Sequence, residues 1–335
     1  MRALVADIGG TNARFAVADL AEAIPTLHQR QSLPAAEFAS LQHAAEHYLA
    51  QLEEAPGQAA LAVACPVRGD EIRLTNRAWS FNRLELQQSL GLDHLLVLND
   101  FGAAAWTVPT LAEADSEAVY GPPELSRNGP VSVLGPGTGL GMALLVGDDE
   151  IGWRVVETEG GHVSFAPHGT EERAIADWLA ARHGRVSTER VLSGIGLSQI
   201  DAALAGREPA KHDTPDSALR APADIVAAAL EGHDVSARRA LARFCAILGS
   251  VAGDTALVHG ARTVMIAGGI VPRIVPFLRA SAFRERFLDK GRFAAYLESV
   301  AVRVIMHPAP GLLGAALALR SDHELRAPRH RQDMP

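Results

Sequence analysis

Asp7-Ile8-Gly9-Gly10-Thr11-Asn12 decides the fold predicted for this chain and follows the apolar run Leu4 to Ala6. The run predicts a buried strand with a carboxylate at its tip, and the paired glycines predict a tight turn after it. In such a turn the amides of residues 9–11 converge on phosphate oxygens, the Thr11 hydroxyl donates a further hydrogen bond, and Asp7 is positioned to hold Mg²⁺. The same residues also suit a plain β-hairpin that returns through residues 13–17, so this stretch alone leaves both interpretations open.

The length and charge of the chain limit the classes of protein to which it can belong. At 335 residues, two domains of about 150 residues each are expected. The 31 basic and 39 acidic side chains give a net charge of −8, which argues against nucleic acid or an anionic membrane as the main partner. The two cysteines, Cys65 and Cys245, exclude a disulfide framework and a cysteine-rich zinc site.

The apolar runs predict a cytoplasmic protein with no membrane partner. A strand that starts at residue 3 leaves no room for a signal peptide before it. The longest apolar run, residues 59–67, is far shorter than the ~20 residues that a membrane-spanning helix needs.

Strand and helix patterns alternate through the first third of the sequence, which predicts an α/β fold. Strands are expected near residues 3–8, 13–19, 59–65 and 95–98, and helices near residues 38–52 and 101–107. A similar arrangement recurs about 128 positions later, where the strand 131–134 runs into a glycine-rich turn, residues 135–141, and returns through residues 142–146. Two phosphate-binding hairpins are therefore expected to face each other across a cleft.

The second half of the chain predicts more helices, strands and one further glycine turn. Helices are expected near residues 171–182, 222–230, 235–258 and 312–319, and strands near residues 191–192, 264–267 and 302–306. Gly268-Gly269 ends one of these strands. Residues 207–222 are expected to form a surface excursion, and the polar residues 321–335 a disordered tail.

Six motifs, in this order along the chain, closely resemble the motif set of the bacterial glucokinase family. The resemblance covers about residues 3–319. It implies the actin-like ATPase fold, an α/β fold of two ribonuclease-H-like α/β domains with the active site in the interdomain cleft. It also implies a small discontinuous domain, residues 1–109 plus about 302–320, and a large domain, residues 110–301. The motifs are Asp7-Ile8-Gly9-Gly10-Thr11-Asn12, Leu98-Asn99-Asp100-Phe101, Gly137-Thr138-Gly139-Leu140-Gly141, Glu159-Gly160-Gly161-His162, Ser187-Thr188-Glu189-Arg190-Val191-Leu192-Ser193-Gly194 and Ile266-Ala267-Gly268-Gly269-Ile270-Val271-Pro272-Arg273.

The resemblance assigns a sugar site to polar residues that follow strands and turns. Asp100 matches the family's general base, which accepts the proton of the sugar hydroxyl as the phosphoryl group transfers. Taken alone, Asn99 and Asp100 also fit helix-capping residues, and the Glu and His candidates fit solvated turn residues. The substrate-binding residues that the resemblance implies are Asn99, Asp100, Glu159, His162 and Glu189, with Asn76 as a further candidate.

The resemblance likewise implies that ATP is held by the three glycine turns and that Asp7 holds Mg²⁺ through water. A homodimer is also implied. The cofactor-binding residues that the resemblance implies are Ala6, Asp7, Ile8, Gly9, Gly10, Thr11, Asn12, Gly137, Thr138, Gly268 and Gly269.

The function that the resemblance implies is ATP-dependent phosphorylation of D-glucose at its 6-hydroxyl. A kinase for another hexose, such as fructose or mannose, is the nearest alternative. A phosphohydrolase of the same superfamily would have no use for the sugar residues. A sugar-sensing regulator would need a helix-turn-helix, for which the sequence leaves no room before Asp7.

Overall fold

The computed structural model describes residues 1–75, 78–123, 128–208 and 219–326. The chain divides into two compact units. The first consists of Met1–Thr110 together with the segment that starts at Pro308, and the second is Leu111–His307.

The first unit is built on a five-stranded sheet in which β1 is central. Its strands are β1 (Arg2–Ile8), β2 (Asn12–Asp19), β3 (Thr26–Pro34), β4 (Gln58–Val63) and β7 (His94–Asn99). The strand order is β3-β2-β1-β4-β7, with β1, β4 and β7 parallel and the other pairs antiparallel. Two short strands, β5 (Glu71–Arg73) and β6 (Ser80–Asn82), form a separate antiparallel pair.

Helices cover both faces of this sheet because β1 is apolar on both sides. One face packs the aromatic pair Phe15 and Tyr48 with the residues around α1, whereas the other is rich in alanine and packs against α3 and α12. Small side chains let the helices approach closely, so that a Cβ at Gly314 would overlap with the carbonyl oxygen of Ala103. The helices of this unit are α1 (Leu41–Leu49), α2 (Arg83–Ser89), α3 (Asp100–Thr107) and α12 (Pro310–Arg326).

The second unit repeats the strand arrangement of the first and adds one strand. Its strands are β8 (Ser116–Tyr120), β9 (Val131–Pro136), β10 (Leu140–Asp148), β11 (Gly152–Thr158), β12 (Thr263–Ile266) and β13 (Ala301–Ile305). The order is β11-β10-β9-β12-β13-β8. As in the first sheet, an antiparallel meander leads to a central strand that continues through two parallel strands, and β8 then closes the far edge in an antiparallel pairing.

Eight described helices accompany the second sheet, and most of its core lies between them. The longest, α8 (Val235–His259), is also the one described helix that is long and apolar enough to cross a bilayer by length and composition, although 61% of its most apolar window is buried inside the protein. Its apolar residues, such as Phe244 and Leu248, belong to the core of this unit. The helices are α4 (Gly169–His183), α5 (Thr188–Val191), α6 (Gly194–Leu204), α7 (Pro222–Glu231), α8 (Val235–His259), α9 (Val275–Ala280), α10 (Phe283–Leu288) and α11 (Ala294–Glu298).

The C-terminal boundaries differ from those expected. The strand expected at 302–306, and assigned with the small domain, is β13, which pairs with β12 and β8 of the second sheet, so the chain returns to the first unit only at Pro308. Residues 321–326 are helical rather than disordered, because Asp322 accepts a hydrogen bond from His94 at 2.9 Å and ties this turn of α12 to β7. Residues 327–335 lie outside the described part of the chain.

One strand expected from the sequence is a helix. Val191 ends α5 and Leu192 is its C-cap, since Leu192 N–H donates to the carbonyl oxygen of Thr188 and closes a helical turn. Thr188 N–H donates to the carbonyl oxygen of Val163. The described parts of the expected surface excursion at 207–222 include the start of α7, and residues 209–218 lie outside the described chain.

Candidate functional site

The first glycine turn joins β1 to β2 at the carboxyl end of β1. Gly9 N–H donates to Asn12 O at 3.0 Å, and Thr11 O accepts from Ala35 N–H at 2.9 Å. Gly9 has no positive φ, and a Cβ there would meet only Asn12 O, at an ordinary 3.6 Å. Since the protein itself does not demand glycine at position 9, the space beside this amide is open to a ligand.

Of the residues assigned to ATP around this turn, two have no accessible side chain. Ala6 and Ile8 are fully buried in β1, whose backbone pairs with β2 on one side and with β4 on the other. They lie in the strand that leads into the turn, and their side chains pack in the core. Thr11 at the tip is exposed, so the accessible part of this motif is residues 9–12.

Asp7 lies at the end of β1 against the beginning of α12. Arg14 donates to its Oδ2 at 3.0 Å, and 21% of its side chain is exposed. Burial raises the pKa of Asp7, and the nearby positive charge of Arg14 offsets this only in part. Gly311 permits the close packing, because a Cβ at that position would lie 2.7 Å from the carboxyl carbon of Asp7.

These properties fit a Mg²⁺ ligand. Mg²⁺ prefers oxygen ligands and is often held through one or two carboxylates, water and substrate phosphates. Asp7 is a carboxylate whose charge its protein surroundings leave partly uncompensated. Within residues 1–75, 78–123, 128–208 and 219–326, no three His, Cys, Asp or Glu side chains group to form a metal site.

Asn99 and Asp100 lie at the junction of β7 and α3. Asn99 Oδ1 accepts from the backbone N–H groups of Phe101 and Gly102 at 2.9 and 3.3 Å, and its Nδ2 donates to Cys65 O at 3.2 Å. Asn99 is therefore the N-cap of α3, as one interpretation of the sequence predicted. Asp100 is in the first helical turn, where the helix dipole favours a negative charge.

The β-sheet brings this junction and the first turn to the same edge. Ile8 aligns with Val63 on β4, and Val63 aligns with Asn99 on β7, so the ends of three parallel strands coincide. Two strand spacings separate Ile8 from Asn99, or roughly 9–10 Å. Ligands of open α/β sheets bind at this carboxyl edge.

The second glycine turn joins β9 to β10. Gly137 N–H donates to Gly139 O at 2.8 Å, and Gly137 O accepts from Gly194 N–H at 2.8 Å. Thr138 at the tip is exposed. The turn therefore presents a backbone surface and a hydroxyl, as the first turn does.

Glu159, His162 and Glu189 lie together in the second unit. His162 Nε2 is 3.8 Å from Glu159 Oε2, and His162 Nδ1 is 3.9 Å from Glu189 Oε1. These separations exceed a hydrogen bond, so a ligand hydroxyl can lie about 2.8 Å from both atoms of either pair. Half of the His162 side chain is exposed. The three residues thus place two carboxylates and an imidazole side by side.

Hydrogen bonds to the surrounding backbone hold His162 and Glu189 in place. Arg185 Nη1 donates to His162 O at 3.0 Å, and Thr188 N–H donates to Val163 O at 2.9 Å. Glu189 follows directly, and its Oε2 accepts from Leu140 N–H at 2.9 Å. Residues 160–165 and 185–188 are thereby joined, which fixes Glu189 beside His162.

The third glycine turn follows β12. Gly268 has a φ of 95°, and a Cβ there would lie 2.5 Å from Pro136 O, so the fold itself requires glycine at this position. Gly269 has open space where its side chain would be. Because β12 runs beside β9, this turn lies at the same sheet edge as the second turn.

The sequence analysis missed three residues that support the site. Asn76, which it proposed as a sugar ligand, lies outside the described residues. One of the three is Arg14, which pairs with Asp7, its partner across the β1–β2 ladder. Gly311 and Arg185 were not considered. The hairpin register could have indicated Arg14, but the other two depend on contacts distant in sequence.

Comparisons with known proteins agree with the motif set. A model of the Glucokinase family matches residues 4–322. The glucokinase of Tolumonas auensis is 42% identical over 318 residues, which cover 95% of this chain and 96% of the relative. The structure of a glucokinase from an Antarctic psychrotroph matches with a TM-score of 0.80 at 36% identity, covering 96% of this chain and 99% of the other.

A more distant structure extends the agreement in fold. The glucokinase from Balamuthia mandrillaris, solved in complex with glucose, has a TM-score of 0.80 at 23% identity and covers 96% of this chain and 93% of its own. The expected fold class is therefore confirmed, and the family match spans nearly the whole sequence. The chain belongs to the glucokinase family, the ATP-dependent kinases that phosphorylate glucose.

Proposed function

We propose that Asp100 is the general base that accepts the proton of the glucose 6-hydroxyl as the γ-phosphoryl group of ATP transfers to it. The observation that carries this assignment is its position. Asp100 directly follows the parallel strand β7, at the sheet edge where β1 ends in its glycine turn. A base must reach the hydroxyl by a hydrogen bond, and the N-terminus of α3 stabilises the ionised carboxylate that this role requires.

We propose that Glu159, His162 and Glu189 bind the sugar, and that Asn99 is a further sugar ligand. Carboxylates accept hydrogen bonds from vicinal hydroxyls, and the spacings of 3.8 and 3.9 Å around His162 would let one hydroxyl lie within hydrogen-bond distance of both atoms of each pair. A site built in this way rejects sugars that lack one of these hydroxyls, because its polar groups then lose their partners.

The nucleotide is held by backbone amides of the glycine turns rather than by a cluster of basic side chains. Residues 9–12 and 137–138 contribute amides and the hydroxyls of Thr11 and Thr138, and residues 268–269 leave space for the nucleoside. Asp7 would hold Mg²⁺ through water. The ion, when bound, neutralises charge on the phosphate oxygens.

The Asp100→Asn variant tests the base assignment. It retains the shape and hydrogen-bonding capacity of the side chain but cannot accept a proton. We expect glucose binding, measured by calorimetry, to persist, and kcat, measured by ADP release, to fall at least ~100-fold. The matched control is Glu85→Gln, which removes an exposed carboxylate from the first turn of α2 and should leave kcat unchanged. Near-normal kcat in the Asp100→Asn variant would remove Asp100 from this role.

The same assay separates the alternative functions. ADP release with a panel of hexoses identifies the preferred sugar, and ADP release that proceeds equally well without sugar identifies a phosphohydrolase. A homodimer and a cytoplasmic location remain predictions from the family. Light scattering on the purified protein tests the first, and fractionation of the source cells tests the second.

A further inference from the structure

The two carboxylate oxygens of Glu189 contact different parts of the candidate site. Its Oε1 faces the His162 ring at 3.9 Å, on the side proposed to bind sugar. Its Oε2 accepts a hydrogen bond from Leu140 N–H at 2.9 Å, at the end of the second glycine turn. The Glu189 side chain is 31% exposed, so most of it is enclosed by protein.

The other end of this turn is fixed by the same stretch of sequence. Gly194 N–H donates to Gly137 O at 2.8 Å, and Gly194 lies five residues beyond Glu189. The turn is therefore held from both ends by one segment. Only the attachment at Glu189 uses a side chain that also faces the proposed sugar site.

The space that Glu189 occupies explains one glycine of the turn. Gly139 has no positive φ, so its backbone conformation does not require glycine. A Cβ at position 139 would overlap with Glu189 Oε2. At Gly137, by contrast, a Cβ would have no neighbour within 4 Å. Glycine at position 139 thus makes room for the carboxylate.

We propose that Glu189 is a positioning residue for the nucleotide turn as well as a sugar ligand, and that Gly139 is the residue that allows it to hold both. The proposal rests on the proposed function, and it adds that sugar and nucleotide binding are coupled through one carboxylate. Any change that moves Oε2 away from Leu140 N–H loosens the turn, and the same movement displaces Oε1 from the sugar side.

A double-mutant cycle tests the coupling, with the Kd of MgADP and the KM of glucose as separate readouts. Glu189→Ala should weaken MgADP binding about tenfold, the value of one hydrogen bond near the upper end of the usual range. Gly139→Ala should do the same, because its methyl group displaces the carboxylate. The double variant should bind MgADP no more weakly than either single variant, since both substitutions remove the same hydrogen bond between Leu140 N–H and Glu189. Effects that multiply instead would overturn the proposal.

Two further variants keep the test decisive. Glu189→Gln retains an oxygen that accepts from Leu140 N–H, so MgADP binding should stay near the original value while the KM of glucose rises. The control, Gly137→Ala, lies in the same turn but away from the carboxylate, so its effect should multiply with that of Glu189→Ala. If Gly139→Ala does not fold, Glu189→Ala and Glu189→Gln still decide the matter, because equal MgADP affinities in the two would refute a positioning role.

The two readouts also separate this proposal from the proposed function. MgADP binding is measured without sugar, so it reports on the turn alone. If Glu189→Ala weakens MgADP binding but leaves the KM of glucose unchanged, Glu189 positions the turn without binding sugar, and the coupling is refuted. If the KM of glucose rises while MgADP binding is unchanged in every variant, the sugar role stands and the positioning role fails.

Discussion

Asp7 shows how the surroundings of one side chain set its effect on stability. Burial raises the pKa of Asp7 in the folded state, and the positive charge of Arg14, which lowers it, is the weaker effect. A carboxyl group with a raised folded pKa binds its proton more tightly in the folded state, so the free energy of unfolding falls as pH rises from the unfolded pKa, about 3.9, through the folded pKa. At neutral pH the ionised Asp7 therefore costs stability.

The Asp7→Asn variant should consequently be more stable than the original protein at neutral pH and less active. Denaturant unfolding without nucleotide should show a gain that grows as pH rises from about 4. The Mg²⁺ concentration for half-maximal activity should increase by about 10- to 100-fold, as is usual when a group that holds a metal indirectly is lost.

Asp19→Asn, at the other end of the β1–β2 hairpin, is the matched control. The N–H of Ala21, followed by the N-terminal amino group, holds the pKa of Asp19 below its usual range, so its ionised form stabilises the fold above the unfolded pKa. Its replacement should lower stability and leave the Mg²⁺ requirement unchanged. A loss of stability in Asp7→Asn, like that in Asp19→Asn, would contradict the account of Asp7.

At the scale of elements, the start of α3 affects both the stability of the fold and the candidate site. Its N-cap and its first residue are both candidate sugar-binding residues. Asn99 caps the helix with two hydrogen bonds to backbone N–H groups, and Asn82 caps α2 in the same way. Losing an Asn cap to alanine costs about 0.5–2 kcal/mol. The two caps therefore offer the same structural change, one inside and one outside the candidate site.

We expect Asn99→Ala and Asn82→Ala to lose similar amounts of unfolding free energy, about 1 kcal/mol each. Only Asn99→Ala should also lose kcat/KM for glucose, by about tenfold, because it also removes a proposed sugar contact and the support of Asp100. Unfolding curves and initial rates on both variants measure this. Equal losses of kcat/KM in the two variants would mean that Asn99 acts only as a cap.

The sequence predicted the elements whose apolar pattern is local and missed those held by distant partners. The strands β1, β4 and β9 each contain a short run of mostly apolar residues, and their positions were predicted. The edge strand β3 was missed because most of its residues are exposed and its conformation depends on pairing with β2. Residues 191–192 were predicted as a strand for a similar reason, since the helical turn at residues 188–191 depends on a contact with the distant residue 163.

The candidate site shows the same division. Carboxylates and glycines at strand ends indicated where ligands bind, because the carboxyl edge of a parallel sheet follows from strand order. The 2.9 Å hydrogen bond from Leu140 N–H to Glu189 joins residues 49 positions apart. The packing of Gly311 on Asp7 joins residues 304 positions apart. No local pattern in a single sequence encodes such contacts.

At the scale of the whole molecule, each compact unit has its own core, and the second contains a buried ionic cluster. Glu172 on α4 is fully buried and accepts hydrogen bonds from Arg286 on α10 at 2.5 and 3.2 Å. Arg243 on α8 donates to it at 3.2 Å, and His168 N–H at 2.8 Å. Burial alone would raise the pKa of Glu172, but these donors outweigh it and hold the pKa below its usual range.

Glu172→Gln should therefore destabilise the second unit by about 3–5 kcal/mol, because it leaves the buried Arg286 without its counter-charge, whereas Arg243 keeps its pairing with Glu171. A lowered folded pKa gives stability that is present above the unfolded pKa, about 4.3, and is lost as pH falls through the folded value, so the stability difference between the variant and the original protein should shrink as pH falls below about 4.3. Hydrogen exchange should accelerate in α4, α8 and α10 and stay unchanged in β1 and α12. The control, Arg239→Gln, breaks a pair whose arginine is 58% exposed and should cost at most about 1 kcal/mol. Equal losses in the two variants, or faster exchange throughout both units, would show that this cluster does not hold the second unit together.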